Sequence, residues 1–478
     1  MTTQTGEVLD LLSKLHSFAP LLRLLNLSGM LPPLSIYKVP WKNFLYNIFS
    51  LLTFLSFIPL IIMQLTGFYV YGNKLNLILV IAFQLAAYFD GMVTMAYFVW
   101  NRKRLLTMFL LMETKFIPLM SKVGRPEKQK TILAKNWRFC KVITTVAIGA
   151  FLADMATWCV LPSVVRYMAY LHEEEEVEGE PEHKMEYFVL VMWLPQNATA
   201  FPRYEMLHVF QFFSVWGVVA NYAAGKLIIV TLFYHLATHF NILSSAIQDI
   251  DDICVNELSA NEDMRLVVKQ LAISHETNDS SVIEGALNLN LRSKIVQEKR
   301  LCPVDLDPDN INVKESDIFG RLTYPDEVTY LTDCVIYHQE LLKFCREINS
   351  FLTNILLFDL VIFQILMCLP PLQLVLGQDA STFRFVSSIV DTGIWPLLIC
   401  FWGEAVSQES LGVRKAAYDC QWYNRSQAVK RLLQMVLMRT REPVRMTAGQ
   451  FYNLSLETFA DIENKVYAYF TLLKNMQG

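Results

Sequence analysis

Apolar residues are concentrated in seven long runs that polar, charge-rich segments separate. Each run is long enough to supply the roughly 20 helical residues that cross a hydrocarbon core about 30 Å thick. The predicted spans are 43–68, 75–100, 139–163, 205–235, 349–376, 383–406 and 449–473. The last run differs in carrying four charged residues, which are Glu457, Asp461, Glu463 and Lys465. The pattern predicts an all-α polytopic membrane protein with seven transmembrane helices.

The composition favours a membrane protein over a soluble one. Of the 478 residues, 53% are apolar and 18% are charged, against about 45–50% and about 25% in soluble domains. The mean hydropathy is +0.31. A net charge of −4 is too near neutral to attract nucleic acid by bulk charge. The nine cysteines include no CxxC pair, and HExxH, P-loop and GxSxG motifs do not occur, so neither an enzyme nor a metal or cofactor site is predicted.

Lysine and arginine are distributed unevenly between alternate loops. The segment 101–138 holds ten of them, and the segment that follows the sixth span holds eight. The loop after the third span holds three, and the loop between the fifth and sixth spans holds none. Because positive residues favour the cytoplasmic side of spans, we expect a cytoplasmic N-terminus. With seven spans, the C-terminus is then extracellular.

Two of the longer loops have a distinctive composition. The loop 164–204, predicted to be extracellular, contains an acidic run at 173–176 and an Asn-x-Thr triplet at Asn197. Such triplets are frequent by chance, but Asn197 lies where glycosylation takes place, so it is the predicted acceptor. On the cytoplasmic side, 240–348 begins and ends with helical periodicity. Its polar part, 275–320, has the composition of a mobile insert.

Ionisable residues within the predicted spans are candidates for chemistry. They are Asp90, Asp154, Lys226, Asp359, Asp391 and Glu404. Such residues are costly in hydrocarbon and mark an interhelical pair, a pocket or an ion pathway. Lys226 is a candidate partner of Asp90 or Asp154, and a single sequence does not decide between them. For Asp154 and Asp391, which lie nearer the outer side, structural pairing and ligand contact both remain open.

A stripe of polar residues lies along the seventh apolar run. Asn453, Glu457, Asp461 and Lys465 recur every four residues and share one helical face, which continues through Ala468, Thr471, Leu472 and Asn475. A charged face is unfavourable against lipid. It therefore either lines an aqueous pore or belongs to a buried polar network between helices.

Aromatic residues cluster toward the outer ends of spans two to four. They are Phe83, Tyr88, Phe89, Phe151, Trp158, Phe210, Phe212, Phe213 and Trp216. Sites for apolar ligands are concave and lined by such residues with a few polar groups. The same residues also suit an interfacial aromatic belt or ordinary helix packing.

Motifs in about the last 70 residues identify a resemblance. They are 416–423, 432–439, Pro443, 448–451, 454–456, Phe459 and 467–473. Their succession resembles that of the insect odorant receptor family. The resemblance implies a tetrameric, odorant-gated, non-selective cation channel that acts in olfactory transduction. It also implies a multi-pass protein in the plasma membrane of sensory-neuron dendrites, in contact with lipid.

The resemblance implies a division of the chain and a split seventh helix. The cytoplasmic half, about 427–441, would pack in an anchor domain, and the second half would line the pore. The predicted segments are a cytoplasmic N-terminus 1–42, spans one to four 43–239, helical extensions and insert 240–348, spans five and six 349–406, an anchor segment 407–448, and the pore helix with an extracellular tail 449–478.

The resemblance also implies site residues by position. The odorant pocket would be formed by Tyr88, Phe89, Phe151, Asp154, Trp158, Phe212, Phe213 and Asp391. The pore would be lined by Asp461, Thr471, Leu472, Asn475 and Met476. The anchor and subunit interface would include Tyr418, Trp422, Tyr423 and Phe451.

The partners that the resemblance implies are a small volatile odorant and other receptor subunits. The 240–348 segment is long, like that of the shared co-receptor, but the end of the chain departs from the co-receptor pattern. We therefore interpret the chain as an odorant-tuning subunit, in a homotetramer or a heterotetramer with the co-receptor.

Other classes of membrane protein fit the sequence less well. A gustatory-type receptor channel differs mainly in its ligands. A G-protein-coupled receptor would reverse the charge bias, and its Asp-Arg-Tyr and Asn-Pro-x-x-Tyr motifs are missing after the third and in the seventh span. A secondary transporter would show paired broken spans.

Overall fold

A computed structural model describes residues 18–33, 36, 39–171, 188–194, 198, 200–251, 327–376 and 382–475. In these ranges most of the chain is helical, as the apolar runs predicted. Several predicted features lie outside the described residues: the acidic run 173–176, the glycosylation acceptor Asn197, the insert 275–320 and the pore residue Met476.

Twelve α-helices are described, numbered here in chain order. They are α1 Ala19–Leu27, α2 Pro40–Val70, α3 Leu75–Trp100, α4 Arg102–Leu111, α5 Ile117–Ser121, α6 Pro126–Met155, α7 Leu161–Leu171, α8 Arg203–Gln248, α9 Glu327–Leu376, α10 Thr382–Asp419, α11 Gln427–Arg439 and α12 Leu456–Asn475. Short π-helical turns, Met112–Phe116 and Ala156–Val160, join α4 to α5 and α6 to α7.

Six helical segments of the described chain are long and apolar enough to cross a membrane. They comprise α2, α3, α6 with the start of α7, α8, α9 and α10, and they correspond to the first six predicted spans. Helices α8 and α9 continue well beyond the predicted cytoplasmic ends of their spans, to Gln248 and from Glu327. The seventh span and the orientation remain predictions.

Helix α8 forms the centre of the bundle. It packs against α10, α6, α3 and α9, and its side chains from Val218 to Phe240 are nearly all buried. A helix that is apolar on every side has to be surrounded by other elements. By contrast, α2 exposes most of its apolar side chains, as expected at a lipid-facing edge.

The seventh run is not helical throughout, which corrects the prediction of a helix from 449. A short hairpin precedes α12, with Thr447–Ala448 paired antiparallel to Tyr452–Asn453. Its turn places Gly449 at φ +61° and Gln450 at φ +70°, conformations that interrupt a right-handed helix. Asn453 therefore lies outside α12, and the helical part of the polar stripe begins at Glu457.

The start of α12 is held by α10. The backbone N–H of Leu456 donates to a carboxylate oxygen of Glu404 at 2.9 Å. The first N–H groups of a helix have no partner within it, and a negative charge there is favourable. Glu404, one of the ionisable residues singled out in the sequence, thus serves as a cap for the following helix.

Helix α11 and the turn before it connect the ends of the long helices that are predicted to be cytoplasmic. Ser426 caps α11 by accepting from the N–H of Val429. The guanidinium of Arg425 donates to Glu327 at 2.5 Å and to Asp251 at 2.9 Å. Because Asp251 follows α8 and Glu327 begins α9, this one side chain ties both helices to the predicted anchor segment.

Candidate functional site

A cavity lies among five helices toward the predicted outer side of the bundle. Its volume is about 90 Å³, below the roughly 300–1,000 Å³ of sites for drug-sized ligands, so it suits only a small molecule. Helices α3, α6, α8, α9 and α10 all contribute to its wall, together with the Ala156–Val160 π-turn and the segment 188–194. The lining residues are Phe83, Gln84, Ala87, Tyr88, Asp154, Trp158, Leu190, Val215, Val218, Val219, Tyr222, Leu366, Ser388, Asp391 and Thr392.

Stacked aromatic rings form one wall of the cavity. The rings of Phe83 and Trp158 are nearly parallel, with centroids 6.2 Å apart. Phe385 meets Trp158 edge-on at 6.4 Å. Aromatic pairs at such distances stabilise one another beyond their buried area, so this wall presents a fixed flat surface to a ligand.

Polar groups are few in the cavity, and three of them have no partner among the described residues, one of which is the side-chain NH2 group of Gln84. The hydroxyl oxygens of Tyr88 and Tyr222 are buried and make no hydrogen bond among the described residues. The two side chains are only 3% and 7% exposed. A buried polar group without a partner is unfavourable, and both of these line a cavity in which a ligand or water could satisfy them.

Two carboxyl groups complete the polar set. Asp154 on α6 and Asp391 on α10 are near enough to interact electrostatically. The indole N–H of Trp395 donates to Asp391 at 3.4 Å. Neither carboxyl belongs to an ion pair in the part of the chain that the structure describes.

The segment 188–194 closes the cavity from the loop side. Its backbone N–H groups at Val189 and Val191 donate to the amide oxygens of Gln211 and Gln84, at 3.0 and 3.1 Å. Leu190 between them is buried and faces the cavity. Two buried glutamines thus hold part of the predicted extracellular loop inside the helical bundle.

A buried ion cluster lies one helical turn from the cavity. The ammonium of Lys226 on α8 is 2.6 Å from Asp359 on α9 and 3.2 Å from Asp90 on α3. All three side chains are at most 1% exposed. Of the two partners that the sequence left open for Lys226, the structure places Asp90 beside it and adds Asp359.

Two glycines let the helices that carry this cluster approach closely. A Cβ atom at Gly225 would lie 2.2 Å from the side chain of Thr94, and one at Gly91 would lie 3.0 Å from Val218. The first contact would force the atoms apart, and the second would be tight. Glycine therefore allows α3 and α8 to pack tightly on either side of the ion pair.

The structure brings four of the eight predicted ligand residues together. Tyr88, Asp154, Trp158 and Asp391 all line the cavity. The other four do not, and they are the aromatic residues Phe89, Phe151, Phe212 and Phe213.

Each of these four aromatic residues has another position. Phe89 is 45% exposed and contacts Phe358, and Phe213 is 67% exposed. Phe151 is buried edge-on against Trp216, toward which Phe212 also tilts. They form helix packing or outward-facing surface, the alternative that the sequence left open.

Sequence reasoning missed several lining residues. On α8, Val215, Val218 and Tyr222 recur at helical spacing. On α10, Ser388 and Thr392 flank Asp391 on the same face. A helical projection centred on Asp391 would have found Ser388 and Thr392. No pattern in the sequence indicated that Leu190 lines the cavity, because its position depends on how a loop folds back onto the helices.

Of the predicted pore and anchor residues that the structure describes, all but Thr471 lie at exposed positions of this single chain. On α12, Asp461, Leu472 and Asn475 are exposed and Thr471 is half-buried. The opposite face of α12 buries Ile462 and Val466 against the bundle. In the anchor region all four predicted residues are exposed: Tyr418, Trp422, Tyr423 and Phe451.

Sequence comparisons show which known proteins this chain resembles. The model of the "7tm Odorant receptor" family matches residues 75–467. Curated relatives include Odorant receptor Or2 of Anopheles gambiae, 24% identical over 147 residues, which are 30% of this chain and 39% of that protein. Odorant receptor 63a of Drosophila melanogaster is 28% identical over 162 residues, 33% of this chain and 39% of that protein. The alignments thus span well under half the length of these relatives.

A solved structure covers the chain more fully. The insect olfactory receptor OR5 from Machilis hrabei, solved in complex with eugenol, superposes with a TM-score of 0.68 over 98% of this chain and 100% of that chain. The sequence identity is 14%, so the likeness concerns the fold. It extends over the helices that form the cavity and over α12.

Proposed function

Because this chain belongs to the insect odorant receptor family, we propose that it is an odorant-gated, non-selective cation channel subunit. The observation that carries the proposal is the cavity. It is formed by five helices, is mostly apolar and carries a few polar groups, as expected of a site for a small volatile molecule. The proposed ligand residues in it are Tyr88, Asp154, Trp158 and Asp391.

We further propose that α12 lines the pore of a tetramer in the plasma membrane of a sensory neuron. The exposed polar face of α12 supports this proposal, since charged residues facing lipid would be unfavourable. Exposed aromatic side chains in the anchor region support an interface there, because the cytoplasmic side offers them no lipid. The tetramer is homomeric or includes the co-receptor.

The site is connected to the proposed pore through α10. Asp391 and Thr392 of α10 line the cavity, and Glu404, further along the same helix, caps α12. Thr392 also borders a second cleft, whose other side is formed by α12 residues including Val466 and Phe470. A ligand that shifts α10 would therefore act directly on the pore helix, provided that it binds the open arrangement more tightly.

Replacing Trp158 by Ala tests the cavity as the odorant site. Heterologous expression, alone and with the co-receptor, and recording of currents against an odorant panel would first identify activating odorants. We expect Trp158→Ala to shift the concentration of half-maximal response by about tenfold or more, since the flat wall loses its largest ring. Trp137→Ala is the matched control, because Trp137 is an exposed tryptophan on α6, the helix that leads into the π-turn holding Trp158.

Surface expression must be measured for both tryptophan variants, since removing a large buried aromatic costs about 3–5 kcal/mol when it is purely core. An unchanged odorant response in Trp158→Ala at normal surface density would remove Trp158 from the site. The absence of odorant-evoked current from wild type, expressed at the surface with the co-receptor, would contradict the channel proposal itself.

The predicted topology has a separate test. An epitope tag after Gly478 is expected to be labelled on intact cells, and a tag before Met1 only after permeabilisation, because the Lys/Arg bias places the N-terminus inside. A tag inserted between α11 and the hairpin serves as a cytoplasmic control. The reverse labelling pattern would favour a G-protein-coupled receptor.

A further inference from the structure

The charged residues that line the cavity are both acidic. They are Asp154 and Asp391. The described cations in the surrounding helices have other contacts. Lys226 is bound by Asp90 and Asp359, and Arg384 donates to the carbonyl oxygen of Phe188 while its guanidinium lies 5.8 Å from the Trp158 ring centroid.

Carboxylates that are half-buried in a mostly apolar cavity require hydrogen bonds or a compensating charge. Asp154 and Asp391 are both half-buried, and Asp391 receives one hydrogen bond, from Trp395 at 3.4 Å. This contact leaves most of the acceptor positions of the two carboxylates unused. The two acids also interact unfavourably with each other. A cation placed between them would relieve both conditions.

The unpartnered phenols are an independent observation at the same place. Tyr88 and Tyr222 are more than nine-tenths buried, their hydroxyls have no partner in the described chain, and both line the cavity. A hydroxyl oxygen accepts a hydrogen bond from an ammonium group. The rings of Trp158 and Phe83 add an aromatic surface of the kind that attracts organic cations.

We propose that this cavity selects small organic amines in their protonated form. The ammonium group binds Asp154 and Asp391, with a Tyr88 or Tyr222 hydroxyl as a further acceptor, and the apolar body packs against Trp158 and Phe83. The inference rests on the proposed function, in that the cavity is the odorant site. It deepens that proposal by naming the ligand class, an amine rather than a neutral hydrocarbon or ester.

Direct binding to the purified receptor in lipid nanodiscs tests the inference without requiring channel opening. The probes are 2-phenylethylamine and its neutral isostere 2-phenylethanol. At neutral pH we expect the amine to bind about tenfold or more tightly than the alcohol, because charge-assisted hydrogen bonds are the stronger ones. Equal or tighter binding of the alcohol to wild type would overturn the inference.

Amide variants assign the effect to the two acids. Asp154→Asn and Asp391→Asn are each expected to weaken amine binding about tenfold and to leave alcohol binding within about twofold. Asp419→Asn, an exposed position at the cytoplasmic end of the same helix as Asp391, should change neither. Loss of binding of both probes in parallel would contradict a charge-specific role. The wild-type comparison stands even if an amide variant does not fold.

Separate outcomes test the ligand class and the channel function. Odorant-evoked currents in a receptor that shows no preference for the amine would overturn this inference and leave the proposed channel function intact. Tight, acid-dependent amine binding by a receptor that carries no current with the co-receptor would overturn the channel function and leave the site.

Discussion

Lys226→Met is expected to abolish surface expression of the receptor. The side chain is fully buried and contacts two carboxylates, Asp359 at 2.6 Å and Asp90 at 3.2 Å. Methionine preserves most of the volume but leaves both acids without a counter-charge inside the bundle. Breaking a buried ion pair by removing one partner costs about 3–5 kcal/mol, a large fraction of the roughly 5–15 kcal/mol that stabilises a typical protein.

Surface biotinylation and thermal unfolding of the purified protein measure this effect. Lys343→Met is the matched control: it removes a lysine that is 56% exposed and paired with Glu340 on the surface of α9, where an ion pair contributes about 0–1 kcal/mol. The triple variant Lys226→Met, Asp90→Asn, Asp359→Asn removes all three charges together and should recover part of the lost expression. Wild-type expression of Lys226→Met alone would show that the cluster does not stabilise the fold.

Leu472→Ala is expected to produce a large basal current. Under the proposed function, Leu472 lies on the exposed face of α12 near its outer end, and in a symmetric tetramer four copies would surround the axis. A ring of leucines closes a narrow pore by excluding water. Shortening the side chain widens the ring and lowers the barrier without any ligand. Asn475→Lys, about one turn further along, should instead reduce cation permeation by adding positive charge at the mouth.

Whole-cell currents in the absence of odorant, and reversal potentials after cation substitution, measure both effects. Tyr467→Phe is the control, since this exposed residue lies about 140° around the helix from Leu472. In a heteromer with the co-receptor fewer positions of the ring change, so both effects should be smaller. Normal surface density with unaltered basal current and selectivity in both variants would show that this face of α12 does not line a pore.

The cavity shows where prediction from the sequence reached its limit. Tyr88 lines the cavity, whereas Phe89, the next residue, contacts Phe358 on another surface. Successive residues of a helix point about 100° apart, so the rotation of the helix decides which of two adjacent aromatics enters the site. The pattern does not fix that rotation, because in a membrane both the lipid-facing and the core-facing sides are apolar.

Each ionisable residue that the sequence singled out within the spans has a defined position in the bundle. Asp154 and Asp391 line the cavity, Asp90, Lys226 and Asp359 form the buried cluster, and Glu404 caps α12. Each has a contact in the bundle because an ionisable group facing lipid is unfavourable. The sequence therefore indicated that these residues matter, but it did not indicate which of them belong together.

The sequence by itself determined the helical class, the positions of six apolar helices and, through its C-terminal motifs, the family. These follow from local composition, since a run of apolar residues long enough to cross the membrane forms a helix whatever its neighbours are. Tertiary structure alone decided three other features: the partners of Lys226, the non-helical start of the seventh run, and the closure of the cavity by Leu190. Each depends on residues far apart in the chain, such as Gln84 bound to Val191 or Gly449 bound to Thr353, and such contacts form only when the helices pack.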